Sequence, residues 1–150
     1  MGGAAMIVDP GLAPVENRDG VSTLRLSVAG GLTQFGAYVE TLAAGARSSD
    51  RHWHSAEDEL VLVLSGTPVR VENSEAPPHP GDRLCWPSGQ STGHQLQNRS
   101  GAEVVYLTLG TRLPRDIIHH PDHDLITHKD GAARRYTYAD GRPRSAGERK

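Results

Sequence analysis

The residues of this chain whose types and spacing could do chemistry sit in two stretches. The first carries His52 and His54, one residue apart, and then Glu57, Asp58 and Glu59; the second carries His94, preceded by Pro87 and Gly89. On an extended backbone, residues i and i+2 point to the same face. His52 and His54, about 7 Å apart along such a strand, can therefore converge on one ion. Glu59 opens the next apolar run, and a tight turn through residues 55–58 brings it beside the pair. Pro87 and Gly89 form a turn that re-aims the chain into a strand bearing His94. Imidazole and carboxylate donors with no thiolate select a divalent first-row ion: imidazole suits Zn, Cu, Fe and Ni, and carboxylate also suits Mn. Four such ligands in octahedral geometry leave two positions for a bidentate substrate, or for substrate plus water. A zinc site leaves fewer. Zinc acts as a Lewis acid or lowers the pKa of bound water, whereas iron permits oxygen chemistry.

The elements that must position these residues read as short strands. Runs of aliphatic and β-branched residues at 22–28, 34–42, 59–64, 68–72, 82–86, 93–97 and 103–109 are broken by turn signals such as Ser65-Gly66 and Ser100-Gly101. Weaker runs lie at 115–119 and 133–138. Many short strands at this spacing predict an all-β sandwich or barrel, and no segment keeps a helical period over ten residues. Residues 1–20 read as a loosely held N-terminal arm, 21–112 as the barrel, and 113–150 as a C-terminal extension ending in a frayed polar tail. In 59–64, Glu59, Val61 and Val63 share one face while Leu60, Leu62 and Leu64 share the other. Both faces are apolar, so the outer one needs a cover. That predicts a homodimer. Cys85, beside Trp86, reads as a buried small hydrophobe.

Bulk properties narrow the function classes. With 16 basic and 18 acidic side chains among 150 residues the formal charge is −2, which argues against a dedicated nucleic-acid binder. The single cysteine excludes an intramolecular disulfide. No run approaches the roughly 18 apolar residues of a membrane helix and no signal-peptide pattern opens the chain, so cytoplasmic residence is expected. There is no G-x-S-x-G elbow and no phosphate-binding P-loop.

The two stretches together resemble the motifs of the cupin superfamily. Gly45, His52, His54, Glu59 and Gly66 follow the first motif, G-x5-H-x-H-x3,4-E-x6-G, with one extra residue before His52. Gly81, Pro87, Gly89, His94 and Asn98 follow the second, G-x5-P-x-G-x2-H-x3-N, with two extra residues before His94. The six-residue gap to Gly66 favours Glu59 over its acidic neighbours Glu57 and Asp58. The resemblance covers residues 20–112. It implies a double-stranded β-helix (jelly-roll) barrel with one ion, Zn, Fe, Mn or Ni with Zn or Fe favoured, held by His52, His54, Glu59 and His94 inside one end. A second histidine group, His119, His120, His123 and His128 with Asp122 and Asp124, lacks ligand spacing and reads as a solvated hairpin. The stretch from Asp116 to Leu125 resembles a D-x3-Y-P-D-x-D-L segment that follows the barrel in some small bacterial cupins, with His120 standing where Tyr is usual.

The function implied is a metal-dependent enzyme acting on a small polar organic molecule. Dioxygenase, isomerase, lyase and cyclase chemistry all occur on the fold, which does not choose among them. Phe35 or Tyr38, Val61, Leu96, and Tyr106 or Thr108 are expected to line the substrate pocket. A ligand-binding or sensing module without turnover is the alternative. A barrel whose ion only stabilises it is the third reading.

Overall fold

The computed structural model describes residues 5–145. Its strands are β1 (Val15–Arg18), β2 (Val21–Arg25), β3 (Phe35–Leu42), β4 (Trp53–His54), β5 (Glu59–Ser65), β6 (Val69–Val71), β7 (Glu75–Ala76), β8 (Arg83–Trp86), β9 (Gln95–Gln97), β10 (Val104–Thr111), β11 (Arg115–His120), β12 (Leu125–Asp130) and β13 (Ala133–Thr137). Among the described residues one α-helical turn, α1 (Leu26–Ala29), and one 3-10 turn (Pro121–His123) interrupt them. All pairings are antiparallel, in a six-stranded sheet ordered β1-β2-β3-β10-β5-β8, a four-stranded sheet β13-β12-β11-β4 and a three-stranded sheet β7-β6-β9. This is the expected all-β barrel. Among the described residues no helix is long and apolar enough to cross a membrane.

Strand parity builds the core. Val61 and Val63 are 3% and 1% exposed, while Leu64 on the opposite face of β5 is 46% exposed. Val61 packs with Val21, Leu42, Trp86, Leu96, Val104 and Tyr106. Two motif residues have structural jobs. Gly66 has φ +75°, and a Cβ there would lie 2.8 Å from the Glu103 carbonyl oxygen, so only glycine fits. The buried Asn98 amide donates to the carbonyls of Leu42, Ala43 and Ala102, closing the loop between β9 and β10.

Several expectations need correction. The segment expected as a loose arm contributes β1, which pairs with β2 through a two-residue turn at Asp19-Gly20, both with positive φ. Asp-Gly is a strong hairpin signal, so this strand was open to detection from sequence. The strand expected over 22–28 stops at Arg25, because α1 tucks Ser27 into the interior. Cys85 is exposed, not buried: it alternates with Trp86, and the inward position belongs to Trp86. β12 lies outside the strands expected from sequence; it pairs along its whole length with β11 and from Ile126 to Asp130 with β13. From residue 146 the expected frayed tail lies outside the described residues.

Candidate metal centre

The sheets bring the three imidazoles together by two separate devices. His52 and His54 share a face because they are two residues apart, and their ring centroids lie 5.1 Å from each other. His94, 42 positions beyond His52 in sequence, faces it across a bridge closed by both backbone hydrogen bonds, 2.9 and 3.2 Å long. The two rings are 5.0 Å apart. The turn that delivers His94 is tied to the same strand, since the Gly89 amide donates to the His54 carbonyl at 2.9 Å. Glu59, at the start of β5, completes the group.

One carboxylate oxygen is the focus. Glu59 Oε2 lies 3.7 Å from His52 Nε2, 3.7 Å from His54 Nε2 and 3.4 Å from His94 Nε2. Its acidic neighbours stay off that focus, although Glu57 Oε2 lies 3.8 Å from the outer nitrogen of His54, Nδ1. Glu57 accepts from the Leu113 amide and from Lys129; Asp58 is exposed and accepts from the Ser88 amide. Burial works against ionisation of Glu59, but the close imidazoles of His52 and His94 outweigh it and hold the carboxyl far below its usual range. Burial likewise opposes a charge on His52, yet the Glu59 carboxylate pulls its pKa up.

The outer nitrogens decide the tautomers. His54 Nδ1 is 2.6 Å from Asp116 Oδ2. A carboxylate only accepts, so Nδ1 carries the proton and Nε2 presents a lone pair inward. His52 Nδ1 donates in the same way to the Asp50 carbonyl at 3.0 Å. Such partners orient ligating imidazoles and raise their basicity. His94 is fixed by packing, its ring stacked on Trp86 at 3.9 Å and 10°. Trp86 is in turn held by a 2.7 Å bond from Nε1 to Glu72.

These residues fit a divalent ion. Both ring nitrogens of His94 are buried without a hydrogen-bond partner, which is costly unless something else satisfies them. The donor atoms of His52, His54 and Glu59 lie within 4.8 Å of one another. Separations of 3.4–3.7 Å are long for hydrogen bonds, yet suit atoms that share one ion at about 2.0–2.2 Å.

A cavity of about 130 Å³ adjoins the imidazoles, lined by Glu40, Val61, Leu96, Tyr106 and Thr108 among others. Val61, Leu96, Tyr106 and Thr108, expected to line a substrate pocket, all border this cavity. Tyr38 lines a neighbouring cavity. Phe35 does neither: it is 40% exposed and edges a shallow apolar depression over Leu60, Cys85 and Leu109, because its place at the start of β3 lies beyond the interior. In the sequence Asp116 stands out only as the head of the segment that runs to Leu125. It is a fully buried side chain whose second oxygen accepts from the Ala56 amide at 2.8 Å. Its signal was the carboxylate four residues before His120, legible only once β11 is known to pair with β4.

Comparison with known proteins adds a family match and several similar structures. A profile described as Cupin domain matches residues 38–110. A solved structure of a sugar phosphate isomerase of the cupin superfamily from Silicibacter pomeroyi is 41% identical, with 88% of this chain and 85% of that chain covered and a TM-score of 0.82. A protein from Acidithiobacillus ferrooxidans, provisionally described as a sugar phosphate isomerase, is 26% identical over 80% of this chain and 77% of its own, at a TM-score of 0.77. A predicted oxalate decarboxylase from Thermotoga maritima, 21% identical over 72% of this chain and 100% of its own, shares the fold at a TM-score of 0.61. No curated protein matches the chain.

Proposed function

The chain belongs to the cupin superfamily, and from that premise we propose that it is a metal-dependent enzyme that isomerises a small phosphorylated sugar, its ion held by His52, His54, Glu59 and His94. The observation that carries this reading is the approach of three imidazole Nε2 atoms to one Glu59 oxygen, at 3.4–3.7 Å, beside an interior cavity. Likeness to the Silicibacter pomeroyi isomerase supports the substrate class. A divalent first-row ion, Zn or Fe before Mn or Ni, would supply Lewis-acid polarisation of a substrate oxygen.

The chain's own residues do the rest. Asp116 and the Asp50 carbonyl keep protons on the outer nitrogens of His54 and His52. Aldose–ketose isomerisation carries a proton between adjacent carbons, and the base for that step must not itself be an ion ligand. Glu40 meets this requirement. It faces the cavity and takes hydroxyl hydrogen bonds from Thr23 at 3.2 Å and Thr108 at 3.1 Å, one on each oxygen. Burial pushes its carboxyl above the usual range, toward the working pH where a base exchanges protons best. Glu40 takes the proton of the hydroxyl-bearing carbon onto a carboxylate oxygen and returns it to the carbonyl carbon, while the proton of that hydroxyl passes to the former carbonyl oxygen. The Tyr106 phenol is pushed far up by burial and by Glu40, so it stays protonated and can donate to a substrate oxygen. Val61 and Leu96 keep that end of the cavity apolar.

Elemental analysis of the purified protein and of His54→Ala, followed by NMR of a sugar-phosphate panel in deuterated water, tests the proposal. The wild type is expected to hold one ion per chain and to exchange carbon-bound hydrogen for deuterium in one member of the panel; His54→Ala does neither. A protein that cannot be loaded with Zn, Fe, Mn or Ni, or that loads and leaves every sugar phosphate unchanged, refutes it. The apolar outer face, where Leu60 pairs with Leu109 and Leu62 with Leu107, supports a homodimer as the assembled form. A light-scattering mass of one chain at micromolar concentration would count against that.

A further inference from the structure

The cavity beside the imidazoles, at about 130 Å³, is smaller than the roughly 300–1,000 Å³ of ordinary small-molecule sites. It does not stand alone. Glu40 and Ser48 line both this cavity and a second one of about 270 Å³ on the side of β1 and β2. Strand register explains what faces this outer chamber. Across β2 and β3, Thr23 opposes Glu40 and Arg25 opposes Tyr38, so all four share one face. Arg18 reaches in from the end of β1.

The chamber is built for negative charge. The Arg25 Nε is buried without a hydrogen-bond partner; its nearest acid is Glu16 at 3.3 Å, and that carboxylate is 62% exposed. Arg18 has only a 4.0 Å approach to the exposed Asp19. The Tyr38 hydroxyl accepts from Arg112 at 2.8 Å, which leaves its own proton to donate. The Arg25 and Arg112 guanidinium groups each sit 5.9 Å from the Tyr38 ring centre. Of the two acids that line the chamber, Glu16 lies toward solvent, and Glu40 has each of its oxygens engaged by a hydroxyl, from Thr23 and from Thr108.

We infer that this outer chamber is an anion subsite in which Arg25, Arg18 and the Tyr38 hydroxyl hold the phosphate of a phosphorylated substrate, while its carbon chain extends past Glu40 and Ser48 toward the imidazoles. The inference rests on the proposed reaction at the imidazole site for its purpose, but its own readout needs neither ion nor turnover. Guanidinium matches phosphate with two parallel hydrogen bonds. Taken together, the two chambers reach the size of a small-molecule site. The separation also serves the chemistry. A free phosphate is a strong oxygen donor that would compete for an ion's open positions; one held at Arg25 leaves them to the other end of the molecule.

The test is a titration of metal-free protein with inorganic phosphate, and separately with glycerol as an uncharged control, followed by amide NMR. The amides of Thr23, Arg25, Tyr38 and Glu40 are expected to shift with phosphate and not with glycerol. Arg25→Gln is expected to weaken phosphate about tenfold, the weight of a charge-assisted hydrogen bond, with Tyr38→Phe weakening it less. Arg135→Gln, in the basic cleft formed by Arg115, Arg134 and Arg135 on the C-terminal sheet, leaves the affinity unchanged. Phosphate affinity that survives both Arg25→Gln and Tyr38→Phe, or shifts centred on residues 115 and 133–135, overturns the inference. Elemental analysis of the same samples separates the two proposals. Normal metal loading with no phosphate bound in the chamber sinks only the subsite. Phosphate bound at Arg25 in a wild type that takes up no metal upholds the subsite and sinks the metal reading.

Discussion

Two groups of histidines, built from the same side chain, behave oppositely in this molecule. His52, His54 and His94 are scattered across 43 positions, yet they aim three Nε2 atoms at one Glu59 oxygen. His119, His120, His123 and His128 are crowded into ten positions and share no focus. His119 stacks on Trp53 at 3.8 Å and bonds Ser55. His120 turns toward His52 at 6.1 Å, His123 approaches Asp50 at 3.3 Å, and His128 bonds Thr137 at 3.0 Å. Adjacent residues on β11 must point to opposite faces, so crowding along the chain works against convergence. Parity on one strand and pairing between distant strands produce it. The second group is nonetheless no idle hairpin. Its strands carry Asp116 to His54 and seat His120 against the same imidazole wall.

The sharpest way to break this contrast is by metal content. His94→Ala or His54→Ala is expected to abolish metal retention through purification, whereas His123→Ala and His128→Ala keep one ion per chain by elemental analysis. Equal losses in both groups would erase the distinction drawn here. Next in size is Asp116→Asn. An amide can place its NH2 group against His54 Nδ1 and unsettle the tautomer, so metal affinity by calorimetry should fall about 10–100-fold, the usual weight of such partners. Ser55→Ala, which frees His119 instead, should leave affinity within error. The smallest effect lies at His120. Burial, helped by the charge of His52, lowers its pKa from 6.5 to about 4. The folded state thus resists a proton that the unfolded chain accepts. His120 therefore contributes stability that is fully present above pH 6.5 and is lost as the pH falls toward 4. In metal-free protein its NMR titration should centre near pH 4, and His120→Phe should lessen the fall in unfolding temperature over that window. A His120 midpoint near 6.5 would show that it is as open to solvent as an ordinary surface histidine.

Much of the barrel was open to reading because its signals are local. The strands at 34–42 and 59–64 were displaced by one residue at most, since alternation along one strand names its own inner face. Likewise the spacing of His52 and His54, and the run that begins at Glu59, needed nothing beyond the strand period. What escaped was whatever depends on a partner. β12 carries Leu125 and Thr127 inward, but its alternation is short and diluted by His128 and Lys129; it is a strand because β11 and β13 flank it. Cys85 and Trp86 are both apolar, so only pairing with β5 assigns one to the interior and one to solvent. Phe35 fell at the open end of β3, where an aromatic residue gives no hint of whether a wall continues beyond it.

The sequence by itself determined which side chains could ligate an ion and which of them share a strand face, because side-chain direction along an extended chain follows a period of two. The tertiary structure alone decided that His94 meets His52, that Asp116 orients His54 across 62 residues, and that Glu40 stands between the two chambers. Those placements are set by which distant strands exchange hydrogen bonds, and hydrogen-bond partners across a sheet leave no periodic trace in either strand.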